Sequence, residues 1–163
     1  MKLRYETKVA AFLVLTRMVD GKKEVLLQKR CNTGYMDGKY DMACSGHLEE
    51  GETLAKAVVR EAKEEIDIKI NPQHLELVSI IHPHKENYIN IFFTTQKYQG
   101  TPKIMEKDKC DDLRWFEIDN LPDNTIERIK NVLKNMQNGI IYDDGDFSCQ
   151  KFKERQLDEE LEK

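Results

Sequence analysis

The sequence is short of the features that would tie it to a membrane, a disulfide framework or a nucleic acid. Its four cysteines, Cys31, Cys44, Cys110 and Cys149, include no CxxC pair and no zinc-ligand spacing. That excludes a zinc ribbon or a disulfide-dense scaffold and leaves free thiols in a reducing cytoplasm as the expectation. The longest apolar run, Val9 to Leu15, is far too short to span a bilayer and has no small-residue cleavage site after it, so neither a membrane span nor an export signal is expected. Positive charge is not in excess either: 26 Lys and Arg face 30 Asp and Glu, giving a net charge of −4 and a pI near 5.7. A broad phosphate-backbone interface needs clustered Lys and Arg, so no nucleic-acid partner is expected. A small anionic ligand remains compatible with this charge if a metal bridges the two. Internal repeats and low-complexity segments are also missing.

What remains is an ordinary globular composition, 39% hydrophobic and 34% charged over 163 residues. That length suits one domain with a real core, and we expect it over residues 1–142, with 143–163 as a charged C-terminal extension. Val9 to Thr16 and Val25 to Gln28 are apolar runs separated by Asp20-Gly21, which predicts a β-hairpin. Asn32 to Tyr40 reads as a loop leading into a short strand at Asp41 to Cys44. Leu54, Val58, Ala62 and Ile66 recur every four residues, which predicts a helix from Thr53 that Asn71-Pro72 terminates. Leu75 to His82, Tyr88 to Tyr98 and Leu113 to Ile118 read as strands. A second helix is expected after a cap at Asp123 or Asn124, with Ile126, Ile129, Leu133, Met136 and Ile140 on its apolar face and Asn138-Gly139 stopping it. The tail after Asp143 is expected to be a loosely held extension with a helical turn or two around Phe152 to Leu161. Strands and helices intermixed in this order predict an α/β (α+β) fold, a mixed β-sheet with helices on its faces.

The first helix carries an unusual load. A helix advances about 100° per residue, so Glu61, Glu64 and Glu65 share one face and repel one another. A divalent cation would offset that repulsion, because carboxylate oxygens are natural ligands of Mg²⁺ and Mn²⁺. A solvated face paired with Lys56, Arg60 and Lys63 would also account for helix content alone.

The flanking residues decide between the two. Gly46, five residues, Glu52, seven residues, Arg60-Glu61, Ala62, Lys63, Glu64-Glu65, Ile66, Asp67 and Ile68 resemble the Nudix box, G-x5-E-x7-R-E-U-x-E-E-x-G-U with U apolar. Six of the seven fixed residues and both apolar positions match. At ordinary residue frequencies this arises by chance in roughly fewer than one in a thousand chains of this length. The departure is Asp67, where the family has a glycine at the helix exit, a position suited to positive φ. The resemblance implies a Nudix-type αβα sandwich with a mixed β-sheet, covering about residues 5 to 140 and leaving the tail outside it. It also implies a hydrolase acting on a nucleoside diphosphate linked to a further group X, with Mg²⁺ or Mn²⁺ held by Glu61, Glu64, Glu65 and the Gly46 carbonyl. Arg60 is implied to pair with Glu52, and the catalytic set is then Glu52, Arg60, Glu64 and Glu65. The general base is Glu64 or Glu65, or Glu106 on a distant loop, a residue that otherwise belongs to a charged surface run.

Substrate choice should lie outside the box. Arg30, Lys39 and Lys85 could meet phosphates, and Tyr35, Tyr40, Tyr88 or Phe92 could stack on a base. Asp112 could bond a base edge, although capping the turn into the following strand explains Asp111-Asp112 as well. Trp115 is expected in the core. His82-Pro83-His84 cannot close on one ion without further ligands. The partner expected is a small nucleotide, most simply a (deoxy)nucleoside triphosphate, with a nucleotide sugar or dinucleotide and a non-catalytic nucleotide sensor as the alternatives. Homodimerisation is common among proteins of this resemblance, and the sequence specifies no interface for it.

Overall fold

The computed structural model describes residues 4–83, 85–144 and 149–151. Its organising element is one long strand, β1 (Lys8–Val19). Asp20 and Gly21 both take positive φ, 49° and 77°, the conformation a two-residue hairpin turn with right-handed strand twist requires. The chain then returns as β2 (Lys22–Arg30), with Thr16 opposite Val25 and Val19 opposite Lys22. The expected strand at Asp41 to Cys44 is two strands. β3 (Tyr40–Met42) pairs with β2, whereas β4 (Cys44–His47) crosses to pair with the first half of β1.

After α1 (Leu54–Ile66) and a short 3₁₀ turn (Pro72–His74), β5 (Glu76–Ile81) and β6 (Tyr88–Thr95) form an antiparallel pair, with β6 lying parallel to β1. β7 (Cys110–Glu117) adds to β2. α2 (Glu127–Gln137) is followed by β8 (Ile140–Asp143), parallel to β5, and by β9 (Cys149–Lys151). The path across the sheet is β3-β2-β1-β6-β5-β8-β9, with β4 on β1 and β7 on β2. Parallel and antiparallel neighbours make it a mixed sheet, as expected.

The period of two along β1 builds two cores. Ala10, Phe12 and Val14 point to one face, where Ile126, Ile129, Val132 and Leu133 of the α2 segment cover them. Ala11, Leu13 and Leu15 point to the other, against Ala57, Val58, Ala62 and Ile66 of α1. The result is the expected αβα sandwich. Phe92 is fully buried and stacks on Phe12 with ring centroids 4.6 Å apart. Trp115 is only partly buried, packed at the margin of the α1-side core with Arg17 over its ring.

Three local expectations are corrected. Neither Asp123 nor Asn124 caps α2: Ile126 is the N-cap and no side chain bonds there. The reason is tertiary. Thr125 bridges to Tyr40 and the Ile126 N–H donates to the Tyr40 carbonyl, which keeps the chain extended through Ile126, while the Asn124 amide is spent on Gly38 O. Ile140 is not on the helix, because Asn138 and Gly139, with φ of 65° at the glycine, end it and release Ile140 into β8 beside β5. Asp111 and Asp112 lie inside β7 rather than at the turn before it. β8 runs to Asp143, and the helical turns expected around Phe152 to Leu161 fall outside the described residues, as does His84 of the His82-Pro83-His84 motif.

Phe92→Ala should open a cavity beside Phe12 and destabilise the fold by about 3–5 kcal/mol, read as a lowered midpoint in urea with an unchanged slope.

Candidate active site

β4 delivers Gly46 to the side of α1, and the contact there is closer than any other residue would allow. A Cβ on Gly46 would lie 1.7 Å from Glu61 Oε1. Glycine is needed for this approach, not for a special φ. Thr53 starts the helix by accepting from the Lys56 N–H, and α1 then presents the three glutamates of its exposed edge in very different surroundings. Glu61 is buried at 9% exposure, the Glu64 side chain is 59% exposed, and Glu65 lies between.

Arg60 organises this edge. Its Nε and Nη2 donate to the two oxygens of Glu52 at 3.1 and 2.8 Å, a bidentate clasp that pins the loop before α1 onto the helix. Nη2 also donates to His47 O at 3.2 Å, and Nη1 donates to Glu61 Oε1 at 2.6 Å and Glu64 Oε2 at 3.4 Å. Glu52 in turn accepts from the Glu49 N–H at 2.8 Å. The hydrogen bond to Glu52 raises the Arg60 pKa above its ordinary value and, reciprocally, lowers that of Glu52.

One guanidinium does not neutralise the cluster. Burial pushes the Glu61 carboxyl up despite Arg60, and it pushes Glu65 up to about 8 even though Glu65 Oε2 accepts the Ser45 N–H at 3.0 Å. The charge of Glu106 contributes to both shifts, so this loop residue faces the cluster. Glu106 is itself paired with Lys109 at 3.1 Å.

The donor set, carboxylate oxygens and a backbone carbonyl, has the chemistry of a hard divalent cation such as Mg²⁺ or Mn²⁺. Buried carboxylates short of compensating positive charge are what such an ion would satisfy. The side chains are not drawn into a cage: among the described residues no three His, Cys, Asp or Glu groups stand at metal-holding geometry. Glu61 and Glu64 bond to Arg60, and Glu65 to the Ser45 N–H.

Beside Ser45 and His47 a cleft of about 540 Å³ opens over the α2 side of the sheet, with Phe12, Tyr35, Tyr88 and Asn90 in its wall. Three of the expected substrate residues, Arg30, Tyr35 and Tyr88, belong to it. Tyr88 Oη lies 3.3 Å from His47 Nε2. Arg30 is also there, but its guanidinium is engaged by the buried Asp41 at 3.1 Å, by Tyr35 O and by Thr33 Oγ1, so it shapes the loop as much as it faces the cleft. Lys39 lines a neighbouring cleft of about 350 Å³ instead. Asp112 lines neither; its carboxylate accepts from the Tyr40 hydroxyl and from Arg114 Nε on the other side of β2 from the cleft-forming strands. A cleft of about 590 Å³ lined by Lys23, Gln73 and His74 shares no residue with this region.

Sequence reasoning passed over Asn90 and Arg128. Asn90 sits among apolar neighbours in β6 and is 4% exposed. Arg128 lies over the Phe12 ring at 5.3 Å, with a buried Nε that has no acceptor among the described residues. Nothing local distinguishes an arginine in the first turn of a helix; only the packing of α2 on β1 brings it to the cleft.

Comparison with known proteins agrees with this geometry. The NUDIX domain family model matches residues 7–136. The chain is 30% identical over 121 residues to the NAD-capped RNA hydrolase NudC of Pseudomonas syringae, covering 74% of this chain and 40% of that protein. It is 32% identical over 78 residues to the phosphatase NudJ of Escherichia coli, covering 47% of this chain and 51% of that protein. It therefore spans about half the length, or less, of these curated relatives. Among solved structures, a MutT NUDIX hydrolase from Burkholderia pseudomallei superposes with a TM-score of 0.68 at 22% identity, over 80% of this chain and 98% of that one. An Ap4A hydrolase from Caenorhabditis elegans superposes with a TM-score of 0.56 at 18% identity, over 80% and 96%. With a matching model over most of its length and a glycine, an arginine and four glutamates of the box gathered at one helix, the chain belongs to the NUDIX domain family.

Proposed function

We propose that this protein is a divalent-metal-dependent pyrophosphohydrolase that cleaves a nucleoside diphosphate linked to X, with a (deoxy)nucleoside triphosphate as the first substrate class. The observation that carries this reading is a pair of under-neutralised carboxylates, buried Glu61 and partly buried Glu65, beside a cleft walled by aromatic rings. Glu61, Glu64, Glu65 and the Gly46 carbonyl would hold Mg²⁺ or Mn²⁺. Bound there, the metal supplies charge neutralisation for the diphosphate and a lowered pKa for the attacking water.

The remaining work falls to the chain's own residues. Water attacks one phosphorus, a new P–O bond forms, the bridging P–O bond breaks, and a nucleotide monophosphate leaves with the phosphorylated X. A carboxylate must take the water's proton. Glu64 and Glu65 are the candidates on α1, and Glu106 is the candidate on the loop facing them. Arg60 and Glu52 keep the Gly46 strand, the 48–53 loop and the helix in register. Tyr88 and Tyr35 can stack on a base while Asn90 bonds its edge. Arg30 supports the loop that carries Tyr35. Lys39 and Asp112 have no part in this reading.

A second reading takes a dinucleotide as substrate. It is favoured by the relative named as an NAD-capped RNA hydrolase, which covers 74% of this chain. A residue range of 1–142 as the catalytic domain, with 143–163 as an extension, is compatible with either.

Phosphate release, coupled to an auxiliary pyrophosphatase for nucleoside triphosphates and oxidised nucleotides and to an alkaline phosphatase for nucleotide sugars and dinucleotides, measured with Mg²⁺, Mn²⁺ or EDTA, tests the proposal. One preferred substrate whose turnover EDTA abolishes is expected; nucleotide binding without turnover would leave a sensor. Glu64→Gln should lower metal-dependent kcat by about 10²-fold or more with an unchanged Tm, because Glu64 is exposed and only weakly bonded. Equal rates would remove Glu64 from the centre. Arg60→Ala should lower both Tm and kcat, since Glu52 and Glu61 lose their common partner; a variant normal in both would refute the register role. Gly46→Ala should lower Tm and cost about tenfold to a hundredfold in kcat, because the new methyl would displace the whole buried Glu61 carboxylate from Arg60.

A further inference from the structure

The box departs from its family pattern at Asp67, and the structure gives that departure a role. Asp67 ends α1 in the left-handed region, φ 55° and ψ 36°, where glycine would be more comfortable. Nothing in the helix exit itself requires a carboxylate. The side chain nevertheless meets Lys63, one turn earlier, and Lys103 Nζ at 2.8 Å.

Lys103 belongs to the segment that connects β6 to β7, and this segment runs back along the end of α1. Lys69 and Gln99 exchange backbone hydrogen bonds at 3.0 and 2.9 Å. Beyond Gly100, the Lys103 N–H donates to Ile66 O and the Met105 N–H to Glu65 O, each at 3.1 Å. These two carbonyls are among the last of the helix, which have no intrahelical donor. Gly100, with φ of 101°, makes the approach possible, since a Cβ there would press on Asp67 O at 3.2 Å. The residue after Met105 is Glu106, whose charge acts on both Glu61 and Glu65. Its carbonyl then turns the chain by accepting from the Lys109 and Cys110 N–H groups.

We infer that Asp67 is a positioning residue: its ion pair with Lys103 clamps the 100–109 segment onto the C-terminus of α1 and thereby holds Glu106 at the carboxylate cluster. This rests on the reading of that cluster as a hydrolytic centre to which Glu106 contributes. A lone exposed pair would do little. Here one carboxylate meets two ammonium groups, and the tethered segment is already registered by two backbone bonds. The clamp therefore needs only to bias a segment that otherwise detaches locally, at a low cost typical of loops.

Asp67→Gly separates the clamp from the helix exit, because glycine eases the backbone while deleting the carboxylate. The experiment compares Asp67→Gly, Lys103→Ala, their double variant, Lys103→Arg and Glu106→Gln. It reads Tm, kcat, KM and amide hydrogen exchange at Lys103 and Met105. Asp67→Gly is expected to match or exceed the wild-type Tm, while the two amides exchange about threefold to tenfold faster and kcat falls by a smaller factor, about twofold to threefold, with KM within about twofold. Lys103→Ala should reproduce this, the double variant should be no worse than either single one, and Lys103→Arg should retain activity. Wild-type exchange at Met105 in Asp67→Gly would overturn the clamp, and so would faster exchange with an unchanged kcat. Full activity in Glu106→Gln would instead overturn the Glu106 assignment on which the inference stands, so the two failures are told apart.

Discussion

Arg60 is the interaction on which the site depends. A guanidinium is planar and offers donors in a fixed fork, so it can hold Glu52 with one edge while its other nitrogen reaches Glu61. Through it the strand carrying Gly46, the loop carrying Glu52 and the helix carrying three glutamates become one rigid unit. A lysine at this position would be a single point charge able to satisfy one carboxylate at a time. The clasp also sets the electrostatic starting point. Because Arg60 spends most of its charge on Glu52, it leaves Glu61 and Glu65 under-neutralised, and burial raises both.

The architecture keeps that unit in contact with a recognition surface. β4 ends at His47, which reaches Tyr88 on β6 across the end of β1. The carboxylates lie on one side of this sheet edge and the aromatic cleft on the other, with Ser45 and His47 of β4, the neighbours of Gly46, in the cleft wall.

How much of this was legible in the sequence follows from the range of the forces involved. The hairpin was readable because Asp20-Gly21 is a local device with a local signature. The α1 helix was readable because its apolar period and its N-cap at Thr53 lie within its own residues. The box was readable because its function fixes spacing as well as residue type. The start of α2 was not, since Tyr40 holds Ile126 extended from 86 residues away in sequence and no local pattern reports that bridge. The same limit explains Asp112. As a carboxylate near the pocket it could bond a base edge, but Arg114 beside it on β7 holds it, and Tyr40 reaches it once β2, β3 and β7 have paired. Arg128 and Asn90 went unseen because their importance comes from what faces them across the sheet rather than from their neighbours in the chain.

The alternation along β1 has a meaning beyond packing. Its even-numbered side chains, Ala10 and Phe12, reach the floor of the cleft, whereas the odd-numbered Ala11, Leu13 and Leu15 support α1 and its carboxylates. The cleft and the carboxylate helix are thus written on opposite faces of one strand, in alternate letters. A lineage, or a designer, can rewrite the even letters to reshape the cleft while every odd letter, and the helix it supports, stays untouched.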